Sequence, residues 1–216
     1  MLVKLVNGQK VELTKPSSMV TSIRLGLGWS ISDHSASHFD LDALALLVDE
    51  TGNIRSKEHV VFYNQLTAFD GVVVLSNDNQ NGAGTGDDEQ LFIQLSYVPA
   101  SIHKIVVAIV IHEADERGQT FGEVNDAFVR IVSDETKEEI ACYELEKDFS
   151  NETAVVIGEV CRTEDGWTFK TSGKGIDGGI NSVCQAYGMM KWPDSFFEKK
   201  KALTKTSPLY AEKPLF

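Results

Sequence analysis

Apolar residues in this chain fall into short blocks rich in Val, Ile and Leu, separated by clusters of Gly, Asn and Asp. Blocks of that length predict β-strands, because a helix of ordinary size needs about ten or more residues carrying a 3.6-residue period. Strands are expected at 22–29, 60–64, 72–76, 90–96, 105–112, 127–132, 139–145, 153–161 and 167–171. The block 105–111 is apolar at every position, as in a strand buried on both faces. Asn7-Gly8, between 3–6 and 11–13, predicts a small N-terminal hairpin, and Asp165-Gly166 predicts another, since both dipeptides accept the positive φ of tight turns. Residues 113–119 suit one helical turn, and 181–190, following Gly178-Gly179, suit the one substantial helix. Many short strands at regular spacing give an all-β fold: a two-sheet β-sandwich with a few short helices and a C-terminal helix and tail. One domain is expected over 1–190. In the extension 191–216, three prolines and a lysine cluster at 199–201 replace the strand formers.

One polar stretch stands out against this apolar frame. Residues 77–89, Asn-Asp-Asn-Gln-Asn-Gly-Ala-Gly-Thr-Gly-Asp-Asp-Glu, hold four carboxylates, three Asn and three Gly in thirteen positions, with no cation. Adjacent Asp87, Asp88 and Glu89 repel one another, and the glycines leave the backbone free to turn its carbonyls inward. Oxygen-only donors, several of them ionised, describe a Ca²⁺ site; Zn²⁺ would call for Cys or His. Asn77, Asn79, Asn81, Gly82 and Asp88 fall on EF-hand positions 1, 3, 5, 6 and 12. The flanking blocks are strand-forming, however, so the expectation is a calcium loop between two strands, the alternative being a solvated acidic, Gly-rich turn without metal. Asp40 and Asp42 lie two apart at the start of the apolar run 39–48, so in a strand both project from one face. That pair is the candidate source of further metal ligands.

Composition narrows the function classes. Among 216 residues, 20 are basic and 32 acidic, a formal net charge of −12. This balance argues against nucleic acid and against anionic membrane surfaces, both of which need a basic footprint. Cys142, Cys161 and Cys184 are widely spaced, with no Cys-x-x-Cys pair, and read as reduced, buried residues. Neither a signal peptide nor a run long enough to span a membrane is present, so a cytoplasmic location is expected.

The order of motifs resembles the TerD family of tellurite-resistance and stress-response proteins. The resemblance is carried by Leu27-Gly28-Trp29, Phe39-Asp40-Leu41-Asp42-Ala43, Val61-Phe62-Tyr63-Asn64, the loop from Asp78-Asn79 to Gly86-Asp87-Asp88-Glu89, Val98-Pro99, Ile111-His112, Phe121-Gly122 and Thr153-Ala154-Val155. It covers roughly residues 22–188. It implies a cytoplasmic β-sandwich that binds two Ca²⁺ ions without enzymatic activity and acts with other stress-response proteins, including membrane-associated and nucleotide-handling ones. Residue by residue, it places metal ligands at Asp40, Asp42, Asp78, Asn79, Asp87, Asp88 and Glu89, with no catalytic residue. Ala83 and Thr85 stand where the family pattern carries acids, so the two ions are expected to differ in affinity.

Competing readings are a divalent-metal phosphoesterase built on the same carboxylates, and a small-ligand-binding sandwich with structural calcium. His112-Glu113 with Asp115 reads as the solvated cap of a buried strand rather than as acid/base machinery. His34 and His38 read as loop histidines. Trp192, Phe196 and Phe197 beside the lysine cluster suit either an amphipathic contact with a membrane or partner, or packing against the sandwich.

Overall fold

The computed structural model describes residues 3–15, 19–31, 39–76, 86–145, 149–189 and 192–198. In chain order the first strands are β1 (Val3–Leu5), β2 (Lys10–Glu12), β3 (Ile23–Ile31), β4 (Leu41–Val48), β5 (Val60–Val61), β6 (Thr67–Ala68) and β7 (Val73–Ser76). They are followed by β8 (Glu89–Ile93), β9 (Lys104–Ile111), β10 (Val124–Ser133), β11 (Glu139–Glu144), β12 (Ala154–Thr163) and β13 (Gly166–Ile176). A helical turn, α1 (Ala114–Arg117), follows β9, and a longer helix, α2 (Gly179–Ala186), follows β13. The strands form two sheets. Sheet A has the order β1-β11-β10-β3-β8-β7-β6 and sheet B the order β2-β13-β12-β9-β4-β5. The expected two-sheet sandwich is thus the observed architecture.

Alternation along the strands divides the apolar residues between two cores. Leu41, Ala43, Ala45 and Leu47 of β4 face sheet A and pack between the sheets with Leu25, Leu27, Leu91, Ile105, Ile109, Val129 and Phe169. Leu44, Leu46 and Val48 face the other way, joining Val106, Ala108, Val110 and Val156 beneath Val183 and Cys184 of α2. This second core explains the unbroken apolar run of β9, a central strand of sheet B with a sheet on one side and a helix on the other. Each fully buried large side chain contributes roughly 1.5–3 kcal/mol of burial. Burial pushes the Cys184 thiol up to about 12, so it is an inert core group. Cys142 and Cys161, expected to be buried, are only half-buried and sit on different sheets; partial burial raises their thiols too.

Two expectations change. The segment around Asn7-Gly8 turns, with the Gln9 amide donating to the Val6 carbonyl at 3.1 Å, but it does not make a hairpin. β1 runs parallel to β11 in sheet A, Leu5 opposite Tyr143, whereas β2 runs antiparallel to β13 in sheet B, Val11 opposite Phe169. Leu5 and Leu13 are both buried between the sheets, and that separation outweighs pairing of β1 with β2. The C-terminal helix begins two residues earlier than expected and stops at Ala186, ended by Gly188 in a left-handed conformation. Of the two readings of the aromatic segment, packing is the one observed: Trp192, Phe196 and Phe197 close the second core against Phe62, with Phe62–Phe196 centroids 5.2 Å apart. The Tyr63 hydroxyl donates to the Phe197 carbonyl, and Asn64 Nδ2 donates to those of Phe196 and Glu198.

One carboxylate ties the start of β3 to the turn after β10. Glu135 Oε1 accepts from the Thr21 amide at 3.1 Å, the Thr21 hydroxyl at 2.5 Å, the Ser22 amide at 2.8 Å and the Ser22 hydroxyl at 2.8 Å. Burial works against its ionisation, yet the Thr21 and Ser22 donors hold its pKa down at about 2, from an ordinary 4.5. A depressed folded-state pKa contributes stability that is present above pH 4.5 and lost as pH falls toward 2. Because the group is largely solvent-screened, Glu135→Gln is expected to lose only about 1 kcal/mol at pH 7. Urea unfolding should show that gap narrowing at pH 3; a gap independent of pH would contradict the assignment.

Candidate metal centre

Of the residues singled out by sequence, the described ones, Asp40, Asp42, Asp87, Asp88 and Glu89, lie at two strand ends. Alternation along β8 sends Glu89, Leu91 and Ile93 inward and Gln90 and Phe92 outward. Glu89, 2 % exposed, reaches across to sheet B, where its Oε2 accepts the Ala43 amide at 2.6 Å, one residue from Asp42. Asp88, 4 % exposed, accepts the Trp29 amide at 2.9 Å, while its own amide donates to the Leu27 carbonyl at 2.7 Å. Asp42 is 1 % exposed and projects from β4 on the side of the second core. Asp40 Oδ1 and Asp42 Oδ2 are both closed off from solvent.

His112 and Tyr63 border this group. His112 Nδ1 lies 3.6 Å from Asp42 Oδ2, Nε2 lies 3.4 Å from Glu113 Oε1, and the imidazole stands edge-on to the Tyr63 ring at 5.5 Å. The Tyr63 phenol is pushed well above its ordinary pKa, first by burial and then by the charges of Asp42, Asp40 and Glu113. The β4–β9 pairing accounts for the approach of His112. Asp42 lies opposite Val110, and the His112 amide donates to the Asp40 carbonyl at 2.8 Å, so the last residues of β9 lie beside the acid pair. Alongside, His112, Glu113, Glu116, Asn181 and Phe197 help line a cavity of about 520 Å³ between the end of β9 and the start of α2. Neither Tyr63 nor His112 stood out as a neighbour of the acids, because their proximity depends on strand pairing; position 112, directly after the run 105–111, was the available signal.

The structure therefore draws Asp40, Asp42, Asp88 and Glu89 to adjoining strand ends and separates Asp87 from them. Asp87 turns to the outer face of sheet A, where Arg130 Nε donates to it at 2.5 Å, Arg130 Nη2 at 2.9 Å and Gln90 Nε2 at 2.9 Å. Asp78 and Asn79, like His34 and His38, lie outside the described residues. Among the described residues no group of three or more His, Cys, Asp or Glu is arranged to hold a metal ion. The donor chemistry nonetheless suits a hard cation: Asp40 and Asp42 at the start of β4 and Asp88 and Glu89 at the start of β8 are two pairs of carboxylates on neighbouring strand ends.

The fold is a two-sheet β-sandwich that carries buried carboxylates at the starts of β4 and β8. The chain belongs to the TerD domain family, whose model matches residues 1–187. It is 45 % identical over 190 residues to General stress protein 16U of Bacillus subtilis (strain 168), covering 88 % of this chain and 98 % of that one. It is 42 % identical over 189 residues to the tellurium resistance protein TerD of Serratia marcescens, covering 88 % and 98 %. The fold matches that of a homologue of telluride resistance protein (TerD) from Streptomyces coelicolor A3(2), with a TM-score of 0.62 at 23 % identity over 74 % of this chain and 93 % of the other. Its relatives are thus tellurium resistance and general stress proteins. No helix among the described residues is long and apolar enough to cross a membrane.

Proposed function

We propose that this chain is a cytoplasmic, Ca²⁺-binding stress-response protein without catalytic activity, in which the ion shapes a docking surface for other stress-response proteins, membrane-associated ones among them. The observation that carries this reading is the burial of Asp42, Asp88 and Glu89 to between 1 and 4 % exposure at adjoining strand ends. Carboxylates withdrawn from water to that degree need strong compensation, and an all-oxygen donor set selects Ca²⁺ over Zn²⁺. Asp40, Asp42, Asp88 and Glu89, with Asp78 and Asn79 of the loop, are the residues that would hold the metal. Calcium would supply charge neutralisation. The amides of Ala43 and Trp29 keep Glu89 and Asp88 in place.

The test is calcium titration of demetallated protein, followed by calorimetry and thermal melting. Binding to the folded state alone contributes about 2.7 kcal/mol at a hundredfold excess of free ion over Kd. The melting temperature should rise with Ca²⁺ and fall with chelator, and the titration should resolve two steps. Asp42→Asn should weaken binding by about tenfold or more, equivalent to about 1.4 kcal/mol, while leaving the metal-free protein at least as stable. No thermal shift with millimolar Ca²⁺ would sink the reading. Metal-dependent phosphoester turnover that disappears in Asp42→Asn would replace it with the hydrolase, to which His112 beside Asp42 lends its support.

A further inference from the structure

We infer that Asp87 is not a metal ligand but the anchor of residues 86–89, where the acidic stretch enters β8, and that Arg130 is its positioning residue. The inference rests on the calcium reading for its effect on affinity, and on the geometry of sheet A for the anchor itself. The Asp87 side chain is only 2 % exposed, and both of its oxygens are taken: Oδ1 by Arg130 Nε at 2.5 Å, Oδ2 by Arg130 Nη2 at 2.9 Å and by Gln90 Nε2 at 2.9 Å. A two-point guanidinium contact fixes a carboxylate in direction as well as distance. The sheet is shaped to receive it. A Cβ built on Gly26, the β3 residue opposite Gln90, would collide with the Asp87 carboxylate, so only glycine there lets the acid lie flat on the outer face.

Consecutive acids are thereby sent to different places. With Asp87 pinned outside and the Asp88 amide bonded to the Leu27 carbonyl at 2.7 Å, the backbone is committed so that Asp88 meets the Trp29 amide and Glu89 the Ala43 amide on the inner side. The anchor thus sets the direction from which residues 86–89 deliver their inward oxygens. It also removes one negative charge from the acidic centre, lessening repulsion there before any cation arrives.

The experiment uses the full chain and four variants: Asp87→Asn, Arg130→Gln, Arg130→Lys and the double variant Asp87→Asn/Arg130→Gln. Each is melted without metal and titrated with Ca²⁺. An anchor requires that Asp87→Asn and Arg130→Gln each lower the metal-free melting temperature and weaken calcium binding by a similar factor, about three- to tenfold, about 0.7–1.4 kcal/mol. The double variant should be no worse than either single change, as for two halves of one contact. Arg130→Lys, which keeps charge but loses the two-point fork, should recover part of both effects. The inference is overturned if Asp87→Asn raises the metal-free melting temperature and costs a hundredfold in affinity while Arg130→Gln leaves binding unchanged or tighter, since that pattern belongs to a ligand held back by arginine. It is equally overturned if neither variant moves either readout. Absence of calcium binding in the unmodified chain would remove the calcium reading alone, because the metal-free melts still decide whether the pair anchors residues 86–89.

Discussion

Arg162→Ala is expected to lower stability by about 2–4 kcal/mol, the sum of charge-assisted hydrogen bonds and a cation–π contact. The side chain gathers a whole connection. Its Nε donates to the Ile102 carbonyl at 3.0 Å and its Nη2 to those of Val98 and Pro99, each at 3.0 Å, while the guanidinium lies 4.2 Å above the centre of the Trp167 ring. Arg162 and Trp167 face one another across the β12–β13 ladder, so the cation is held flat on an aromatic floor and aimed at the turn that leads into β9. Burial lowers the guanidinium pKa, yet it starts so high that the charge persists throughout the useful pH range. Truncation would strip the Val98 and Ile102 carbonyls of this donor and expose Trp167. A fall of about 6–12 °C in melting temperature is expected for a chain of this length. Arg162→Lys should recover less than half of the loss, because one ammonium cannot reach three carbonyls; full recovery would show that charge alone matters.

The second large effect is at Gly158, where substitution overfills the inter-sheet core. The β12–β13 and β12–β9 registers both shift between Val156 and Gly158, and this irregularity brings the backbone close to its neighbours. A Cβ there would strike the Phe169 ring and lie 2.8 Å from the Lys170 carbonyl. Phe169 is fully buried and Lys170 contributes backbone, so neither yields cheaply. Gly158→Ala is therefore expected to cost about 3 kcal/mol, at the upper end of overpacking effects. Denaturant unfolding should show a lower midpoint, and adding Phe169→Leu should restore part of it, since the smaller side chain vacates the clash. Strictly additive losses would mean that the ring is not what the new methyl meets.

Features read correctly from sequence depend on neighbours close along the chain. The Asp165-Gly166 turn joins two strands that pair at once, Thr163 opposite Gly166, and the unbroken block 105–111 needs only its own composition to announce burial on both faces. Asn7-Gly8 carries the same kind of turn signal, but its flanking strands find their partners in β11 and β13, more than a hundred residues away, and no local pattern encodes that choice. The candidate site divides in the same manner. Asp40 and Asp42 could be placed together because period-two alternation is local, and Asp88 and Glu89 adjoin a strand start. Asp87 could not be separated from its neighbours by inspection, for its destination is set by an arginine on β10 and by a missing side chain at Gly26.

The short strands at the rims of the sandwich have a consequence for how the chain is made. On one flank β1 and β2 occupy the edges of opposite sheets, and on the other β5 and β6 do so, the backbone stepping from sheet to sheet between each pair. These brief edge strands leave little free ladder for another chain to join. The two flanks close at different times during synthesis. β5 and β6 follow directly on β4 and precede β7, so one side can be sealed early in sheet growth. β1 and β2 are made before the other strands of the sandwich, and their partners β11 and β13 follow more than a hundred residues later. Until β11 and β13 are made, β1 and β2 have no ladder to join, and the growing half-sandwich stands open along its β10 and β12 margins.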